Sequence, residues 1–295
     1  MEIYHTASPL PRVAASNELT ELSMTTKPRA IVITGNGTNC EREAAEACRL
    51  GGFDADIVHI SRILSGEITL DSYQFLNLTG GFLDGDDLGS ATVQANRLKY
   101  AVVAGDGERV LDQISRFISA GKPILGVCNG FQLMVKMGLL PGLDSGLDRT
   151  TTLTFNDSGR FEDRWVTLLV DEDSPCIFTK DIQHVPLPVR HGEGKFTVRD
   201  DRIMDRLKAK RLLTLRYMDL ATGKTTMTYP DNPNGSIEAV AGVCSPSGLL
   251  FGLMPHPEAY LHRVNHPRWT REELPEEGAG VAFFRNAYEY VKQAL

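Results

Sequence analysis

The chain has 295 residues, of which 42% are hydrophobic and 23% are charged, so its composition is that of a folded globular protein rather than a disordered or fibrous one. Its 31 basic and 38 acidic side chains give a formal net charge of -7, the wrong sign for a protein held on nucleic acid by neutralising phosphates. No apolar run approaches the about 18 residues of a membrane span, and the N-terminus lacks a signal-peptide pattern, so we expect a cytoplasmic protein with neither a membrane nor a nucleic-acid partner.

The first half of the chain alternates strand patterns with helix patterns. Residues 1–28 mix Ser, Thr, Pro and charged residues without a period, and we interpret them as an N-terminal extension of a single domain at 29–295. The strands and helices predicted after it lie at 29–34, 41–50 (helix), 54–60, 74–78, 110–120 (helix) and 123–127. Strands that alternate with helices indicate an α/β protein whose parallel sheet is covered on both faces.

The second half is richer in strands. Short apolar runs separated by turns predict strands at 164–170, 185–189, 195–198, 211–217, 237–244 and 249–253. The turn-forming block 229–236 predicts a surface loop, and the periodic stretch 280–291 predicts a closing helix. The expected architecture is therefore a helix-flanked sheet with a β-rich C-terminal half.

A Gly-x-Cys-x-Gly motif at 126–130 ends a predicted strand and begins a helix, which is the pattern of a nucleophile elbow with cysteine in place of serine. Such a sharp turn requires small neighbours because the backbone passes close to itself. The helix N-terminus favours the thiolate form of Cys128, and the N–H of Asn129 can donate to a developing oxyanion. Gln132 lies one helical turn beyond Cys128, where it can reach a polar substrate. A buried structural cysteine is the alternative for this segment alone.

A partner base follows the last predicted strand, in the sequence Pro-His-Pro-Glu at 255–258. Pro257 disfavours the α region for His256, and residues i and i+2 of an extended segment share a face. Glu258 can then bond one imidazole nitrogen of His256 and leave the other to face a thiol. Taken alone, the segment also fits a turn with a solvated carboxylate. Together with the elbow, it predicts a catalytic triad of Cys128, His256 and Glu258.

A glycine pair, Gly80-Gly81, follows the strand predicted at 74–78, which should lie beside the strand of Cys128. Without side chains there, a backbone N–H near Gly81 can approach a substrate carbonyl and complete an oxyanion hole. A plain tight turn is the alternative for this segment.

No metal site, disulfide or further chemical role is assigned to the remaining histidines and cysteines. The spacing of His256, His262 and His266 fits neither His-Glu-x-x-His nor a zinc finger, so no metal is expected. The five cysteines include no Cys-x-x-Cys pair, and no disulfide framework is predicted. Cys40 and Cys48, on the first predicted helix, are interpreted as packed thiols.

These motifs together resemble the class I glutamine amidotransferases, whose Cys, His and Glu triad is matched in order by Cys128, His256 and Glu258. The blocks at 156–165, 191–194 and 229–236 are more specific. They resemble the glutaminase subunits of phosphoribosylformylglycinamidine synthases, and the similarity runs from about Arg29 to Trp269. That family implies a flavodoxin-like fold with a central, mostly parallel sheet flanked by helices.

The resemblance also implies an activity. Glutamine would be hydrolysed through a glutamyl thioester on the nucleophilic cysteine, and the ammonia would pass to a synthetase subunit that converts formylglycinamide ribonucleotide to formylglycinamidine ribonucleotide in purine biosynthesis. Substrate-binding roles fall by resemblance on Gly81, Asn129, Gln132, His191 and Gly192. Neither a Gly-x-x-x-x-Gly-Lys-Ser/Thr nor a Gly-x-Gly-x-x-Gly motif is present, so ATP and Mg²⁺ are expected on the synthetase partner and no cofactor in this chain. A small accessory subunit is a further partner to consider.

Two other classes of protein stay open at this point. A different cysteine hydrolase on the same sheet, such as a γ-glutamyl hydrolase or a peptidase, would be active alone, and the family-specific blocks argue against it. A non-catalytic regulatory module would carry a vestigial triad, and the intact triad argues against it. By resemblance, Arg160 and Arg164 are interpreted as part of a patch that faces the synthetase.

Overall fold

The computed structural model describes residues 27–105, 107–144 and 146–295. The extension predicted at 1–28 lies outside the described residues, apart from its last two. Within the described ranges, no helix is both long and apolar enough to cross a membrane.

The described part of the chain alternates strands with helices in its first half and is dominated by strands in its second. The strands are Arg29–Thr34 (β1), Asp54–His59 (β2), Phe75–Leu78 (β3), Ile124–Val127 (β4), Thr151–Thr154 (β5), Glu162–Val170 (β6), His184–His191 (β7), Lys195–Val198 (β8), Leu215–Asp219 (β9), Lys224–Thr225 (β10), Val240–Cys244 (β11) and Leu250–Leu253 (β12). The α-helices are Glu41–Gly51 (α1), Ile60–Leu64 (α2), Thr92–Tyr100 (α3), Val110–Ser119 (α4), Asn129–Met137 (α5), Asp201–Ala209 (α6) and Val281–Ala294 (α7).

One mixed sheet of ten strands forms the centre of the molecule, in the order β2-β1-β3-β4-β12-β11-β9-β6-β7, with β10 paired to β9. The strands from β2 to β12 in this order run parallel to their neighbours. The other pairs are antiparallel. A separate antiparallel pair joins β5 and β8. Because parallel strands end at the same edge of a sheet, the segments that follow β1, β3, β4 and β12 meet there.

The expected α/β fold with a β-rich C-terminal half is confirmed, and apart from β5 and β8 the strands of that half continue the same sheet. The predicted elements of the first half are present within one or two residues. The sequence missed α2, α3, α6, β5 and β10. The strand predicted at 211–217 begins instead at Leu215, because Arg211 has a φ of 58° and belongs to the turn that ends α6.

Glycines set the spacing between the elements that carry the candidate site. A Cβ atom on Gly252 of β12 would overlap the ring of Phe131 from α5. With glycine there, the fully buried Phe131 ring lies directly on β12. This close packing holds the elbow between β4 and α5 against the strand that leads to His256.

Candidate active site

Cys128 occupies the turn between β4 and α5, with φ 51° and ψ -105°. A positive φ is costly for a residue other than glycine, and such strain is concentrated at functional sites. A Cβ atom on Gly126 would lie 2.7 Å from the carbonyl oxygen of Gly130, and one on Gly130 would overlap the carbonyl oxygen of Leu78. The prediction that the motif needs glycine at both positions is therefore confirmed on steric grounds.

His256 and Glu258 follow β12 and reach the same edge of the sheet. The Nδ1 atom of His256 lies 2.6 Å from Oε1 of Glu258, and each residue is 2% exposed. The segment Pro257–Ala259 is a 3₁₀ turn, whereas the sequence predicted an extended segment. The predicted pairing of the two side chains is confirmed, but the carboxylate reaches the imidazole across a turn.

The surroundings of His256 favour its protonated form. Burial lowers the pKa of His256, but the Glu258 carboxylate and the nearby Cys128 and Cys40 raise it well above its usual value. Its Nε2 atom is buried and has no hydrogen-bond partner among the described residues. A protonated imidazole held by a carboxylate can act as an acid toward a leaving amine.

A cavity of about 250 Å³ opens beside the thiol of Cys128. It is lined by Asn39, Cys40, Gly81, Phe82, Asp86, Ser90, Cys128, Gln132, Phe155, Phe161, Arg190, His191, Gly192, Glu193 and His256. Of the catalytic and substrate-binding residues predicted from the sequence, Glu258 and Asn129 do not line this cavity. Glu258 lies behind His256, and the side chain of Asn129 bonds the amide of Leu83 and the side chain of Gln132.

Gln132 is held rigidly in the cavity wall. Its Nε2 donates to the carbonyl oxygen of Glu193 at 2.6 Å, and its Oε1 accepts from Asn129 at 3.0 Å. Both Asn129 and Gln132 are almost fully buried. The amide of Gln132 therefore ties helix α5 to the loop after β7.

The ring of His191, which also lines the cavity, is held in a buried polar network. The ring bonds Asn156 through Nδ1 at 3.1 Å and approaches the side chain of Asn234 through Nε2 at 3.5 Å. Burial, together with the charge of His256, lowers the pKa of His191 to about 3. The block predicted as a surface loop at 229–236 thus contributes Asn234, which is fully buried, to the support of the site.

The glycine pair after β3 lies against the triad. A Cβ atom on Gly80 would lie 2.9 Å from Cε1 of His256 and 3.5 Å from Cβ of Cys128. Gly81 has a φ of 130° and forms an antiparallel bridge with Thr38. This close approach favours the oxyanion-hole interpretation of the glycine pair over that of a plain turn.

Sequence reasoning missed several residues that line the cavity. Cys40 is buried, as expected for a packed thiol, but its sulfur lies 3.9 Å from Nδ1 of His256. Asp86, Arg190 and Glu193 bring charge to the cavity wall. Glu193 lies in the block 191–194, but no local pattern gives it a role. Cys40, Asp86 and Arg190 carry no such mark, because they reach the site only through the packing of segments that are distant in the sequence.

Within the described ranges, one group of side chains has the spacing of metal ligands. The ligand atoms of Cys40, His256 and Glu258 lie within 4.8 Å of one another. His256 and Glu258 already bond each other at 2.6 Å, as the base and orienting acid of a triad do. His262 is exposed, and His266 packs on Trp165 with ring centroids 5.0 Å apart, so neither joins this group.

Comparison with protein-family models matches residues 27–291 to the CobB/CobQ-like glutamine amidotransferase domain. The chain belongs to this family of class I glutamine amidotransferases. It shares 40% identity over 268 residues with the phosphoribosylformylglycinamidine synthase subunit PurQ of Dehalococcoides mccartyi. That alignment covers 90% of this chain and 99% of the relative. The PurQ subunit of Methanococcus maripaludis is 37% identical over 275 residues, 89% of this chain and 97% of the relative.

A larger relative and a solved structure agree with this assignment. The probable phosphoribosylformylglycinamidine synthase of Arabidopsis thaliana is 34% identical over 290 residues, which are 95% of this chain and 20% of that protein. The structure of PurLQS from Thermotoga maritima matches with a TM-score of 0.64 and 30% identity, over 90% of this chain and 99% of the matched chain.

Proposed function

We propose that the chain is the glutaminase subunit of a cytoplasmic phosphoribosylformylglycinamidine synthase. It hydrolyses glutamine to glutamate and ammonia, and a synthetase subunit uses the ammonia and ATP to convert formylglycinamide ribonucleotide to formylglycinamidine ribonucleotide. The observation that carries this proposal is the His256–Glu258 pair beside the Cys128 elbow in a chain that PurQ relatives match over nearly their whole length.

The reaction follows from the roles that the site offers to each group. His256, oriented by Glu258, takes the proton of Cys128, and the sulfur attacks the carboxamide carbon of glutamine. Backbone N–H groups near Asn129 and Gly81 hold the oxyanion. His256 then gives its proton to the departing ammonia and leaves a glutamyl thioester. Water, activated by the same imidazole, attacks the thioester and releases glutamate from Cys128.

The charged side chains of the cavity suit the two ends of free glutamine. Burial raises the pKa of Asp86, and the nearby charge of Glu193 raises it further. A positive charge bound beside these two carboxylates would offset both effects, and the α-ammonium group of glutamine supplies such a charge. Arg190 has a buried Nε with no hydrogen-bond partner among the described residues. We assign Asp86 and Glu193 to the α-ammonium group and Arg190 to the α-carboxylate.

The mouth of the cavity fits a docking site for the synthetase subunit. Phe155 and Phe161 line the cavity and are 68% and 55% exposed. Arg160 is exposed beside them, whereas Arg164 is bound to Glu162 and stacks on the ring of Tyr229. An apolar rim that a partner covers would keep ammonia from water, so the surface assigned to the partner is this rim together with Arg160.

The test of the proposed function separates glutamine-dependent from ammonia-dependent synthesis in the complex with the synthetase subunit. Cys128→Ala should lower the glutamine-dependent rate by more than about 1,000-fold and leave the rate with ammonium salts intact. Cys48→Ala is the matched control, because Cys48 is fully buried on α1 outside the cavity. Loss of both rates in Cys128→Ala alone would mean that Cys128 is structural.

A second measurement separates this function from that of a stand-alone hydrolase. The isolated chain should release glutamate from glutamine slowly and should be activated by the synthetase, because idle ammonia release wastes glutamine. Full turnover by the isolated chain, or faster cleavage of γ-glutamyl peptides than of glutamine, would favour a γ-glutamyl hydrolase or a peptidase. Exposure to 6-diazo-5-oxo-L-norleucine should place a single adduct on Cys128, read by peptide mass.

A further inference from the structure

Two thiols, not one, face the cavity of the proposed glutaminase. Both Cys40 and Cys128 line it, although they are distant in the sequence. We propose that these two cysteines form a redox-sensitive modification site, in which a hydroperoxide oxidises Cys128 and Cys40 then closes a reversible disulfide with it. This inference rests on the proposed function, because it is the nucleophilic role of Cys128 that makes its sulfur reactive.

The path of the chain explains how Cys40 reaches the nucleophile. The loop after β1 is held on the loop after β3 by two backbone hydrogen bonds, from the amide of Phe82 to Gly37 at 2.8 Å and from the amide of Asp84 to Asn36 at 3.0 Å. Because β3 lies between β1 and β4 in the sheet, this pairing carries Cys40 across the end of β3 toward the elbow of β4.

Three neighbours contact both cysteines. His256 lies 3.9 Å from the sulfur of Cys40 through Nδ1 and also interacts with the thiol of Cys128. Arg190 accepts from the sulfur of Cys128 at 3.7 Å through its carbonyl oxygen and approaches the sulfur of Cys40 at 3.9 Å through its guanidinium group. A Cβ on Gly80 would lie 3.4 Å from the sulfur of Cys40 and 3.5 Å from Cβ of Cys128. With glycine at position 80, no side chain separates the two cysteines on that side.

The chemistry balances with a hydroperoxide as the only added reagent. The thiolate of Cys128 attacks one oxygen of hydrogen peroxide and becomes a sulfenic acid. The O–O bond breaks, and the second oxygen leaves as hydroxide, which takes up the proton lost by Cys128 to form water. The sulfur of Cys40 then attacks the sulfur of the sulfenic acid. An S–S bond forms, and the sulfenic oxygen leaves as water with the proton of Cys40. In total, two thiols are oxidised by two electrons and one peroxide is reduced to two waters.

The other three cysteines do not compete for this role. Cys48 is fully buried away from the cavity, and burial raises its pKa far above the usual range. The hydrogen bond between Cys176 and Cys244 lowers the pKa of Cys244 to about 7, but both cysteines are buried and neither lines the cavity that holds Cys128. Burial also raises the pKa of Cys40, so Cys40 is not the thiol that peroxide oxidises first, and it loses its proton only as it attacks the sulfenic acid of Cys128.

The disulfide would have two consequences for the enzyme. It removes the sulfur of Cys128 from attack on glutamine, so glutamine hydrolysis stops. It also protects that sulfur, because a sulfenic acid without a resolving thiol proceeds to sulfinic and sulfonic acids, which simple thiols do not reduce.

The experiment treats the full chain, alone and in its complex with the synthetase subunit, with a small excess of hydrogen peroxide, and then blocks the remaining thiols with N-ethylmaleimide. We expect a protein lighter by two hydrogen atoms before alkylation, with two fewer alkylated cysteines and a cross-linked peptide that joins Cys40 to Cys128. Glutaminase activity should be lost in parallel and should return with dithiothreitol. Cys48→Ala should behave in the same way.

Cys40→Ala should give the opposite result, irreversible oxidation of Cys128 in place of a reversible disulfide. Its Cys128 should gain two or three oxygen atoms, and dithiothreitol should not restore the activity that peroxide removes. If Cys40→Ala does not fold, Cys40→Ser serves, and the cross-linked peptide of the unmodified chain is independent of both variants. The inference is overturned if Cys128 of the unmodified chain over-oxidises at the same rate as in the variant, or if the disulfide joins other cysteines. Peptide mapping detects modification of the sulfur atoms and does not depend on turnover. If the proposed function is wrong, a separate measurement shows it, because the reduced protein would release no glutamate from glutamine.

Discussion

Glu258 holds Nδ1 of His256 at 2.6 Å, and both side chains are withdrawn from water. The carboxylate is one of the groups that raise the pKa of His256. Its charge therefore keeps the imidazole protonated to higher pH, as the protonation of departing ammonia requires.

Glu258→Gln removes this charge but keeps a side chain of similar size. We expect kcat for glutamine hydrolysis in the complex to fall by about 100-fold or more, while KM changes little. Because the pKa of His256 falls, the alkaline limb of the rate profile should move to lower pH. Glutamate release measured across the pH range checks both effects, with Glu277→Gln, an exposed carboxylate paired with Arg285, as the control. An unchanged profile would contradict the role of Glu258.

Glu193→Gln tests the assignment of the α-ammonium group. The Oε2 atom of Glu193 accepts from the amide of Ser90 at 3.1 Å, and a glutamine can keep this bond through its amide oxygen while losing the charge. We expect KM for glutamine to rise about tenfold with kcat nearly unchanged, as for a lost charge-assisted contact of roughly 1.4 kcal/mol. Asp87→Asn, an exposed neighbour outside the cavity, should leave KM as it is. Equal KM values for the two variants would refute the assignment.

Among individual residues, the sequence predicts those whose roles depend on their immediate neighbours along the chain. Cys128, His256 and Glu258 are marked by the glycines and prolines around them, because an elbow and a short His-x-Glu pairing are built from consecutive residues. Cys40 carries no such mark, because it reaches the site through the pairing of two loops. Only the order of the strands shows that these loops are neighbours.

Close contacts between elements make Gly130 a sensitive position. A methyl group at Gly130 would overlap the carbonyl oxygen of Leu78 and force α5 away from β3. We expect Gly130→Ala to lower the free energy of unfolding by about 1–3 kcal/mol and to abolish glutamine hydrolysis. Urea denaturation and glutamate release measure the two effects. Gly146→Ala is the control, because among the described residues, its chain neighbours aside, its new methyl group would meet no atom closer than 3.9 Å. Equal stability of both variants would speak against the steric argument.

The polar network around His191, at the end of β7, makes the free energy of unfolding depend on pH. His191 has a pKa of about 3 in the folded protein, lowered by burial and by His256, against about 6.5 in an unfolded chain. The unfolded state therefore binds more protons between these values, and His191 contributes stability above about pH 6.5 that is lost as the pH falls toward 3. His256 adds slope only near and above pH 6.5, since at lower pH it is protonated in the unfolded state and, through its raised pKa, in the folded state as well.

The measurement is the free energy of unfolding of the chain and of His191→Asn, from pH 7 down to pH 4. The difference in slope between the two should approach about 1.4 kcal/mol per pH unit, because one proton is involved. Carboxylates elsewhere contribute equally to both proteins and cancel in this difference. Parallel curves would mean that His191 is protonated in the folded state.

Elements that repeat a simple pattern are predicted well from the sequence, and those set by packing are not. The strands of the parallel half are short apolar runs between turns, and their bounds differ by one or two residues at most. Helix α3 was missed because its exposed and buried positions differ little in polarity. The block 229–236 has the composition of a surface loop, yet its Asn232, Asn234 and Ser236 are buried, since they satisfy polar groups inside the protein.

For the whole molecule, the exposed aromatic rim of the cavity predicts where the synthetase binds. Truncation of a large apolar side chain at the centre of an interface costs about 2 kcal/mol or more. We therefore expect Phe155→Ser and Phe161→Ser each to weaken the complex by at least about tenfold, measured by titration calorimetry. Leu220→Ser, a 61% exposed residue outside the rim, is the control. Undiminished affinity in both rim variants would move the interface elsewhere.

Strand β12 occupies the middle of the sheet, between β4 and β11, but it is synthesised long after its neighbour β4. The cysteine elbow and the glycine pair are therefore synthesised well before the histidine and its carboxylate. Until β12 inserts, the thiol has no base, and a chain whose synthesis stops early cannot consume glutamine. Insertion of β12 into the sheet is thus the step that brings the base to the nucleophile, and glutamine hydrolysis depends on it.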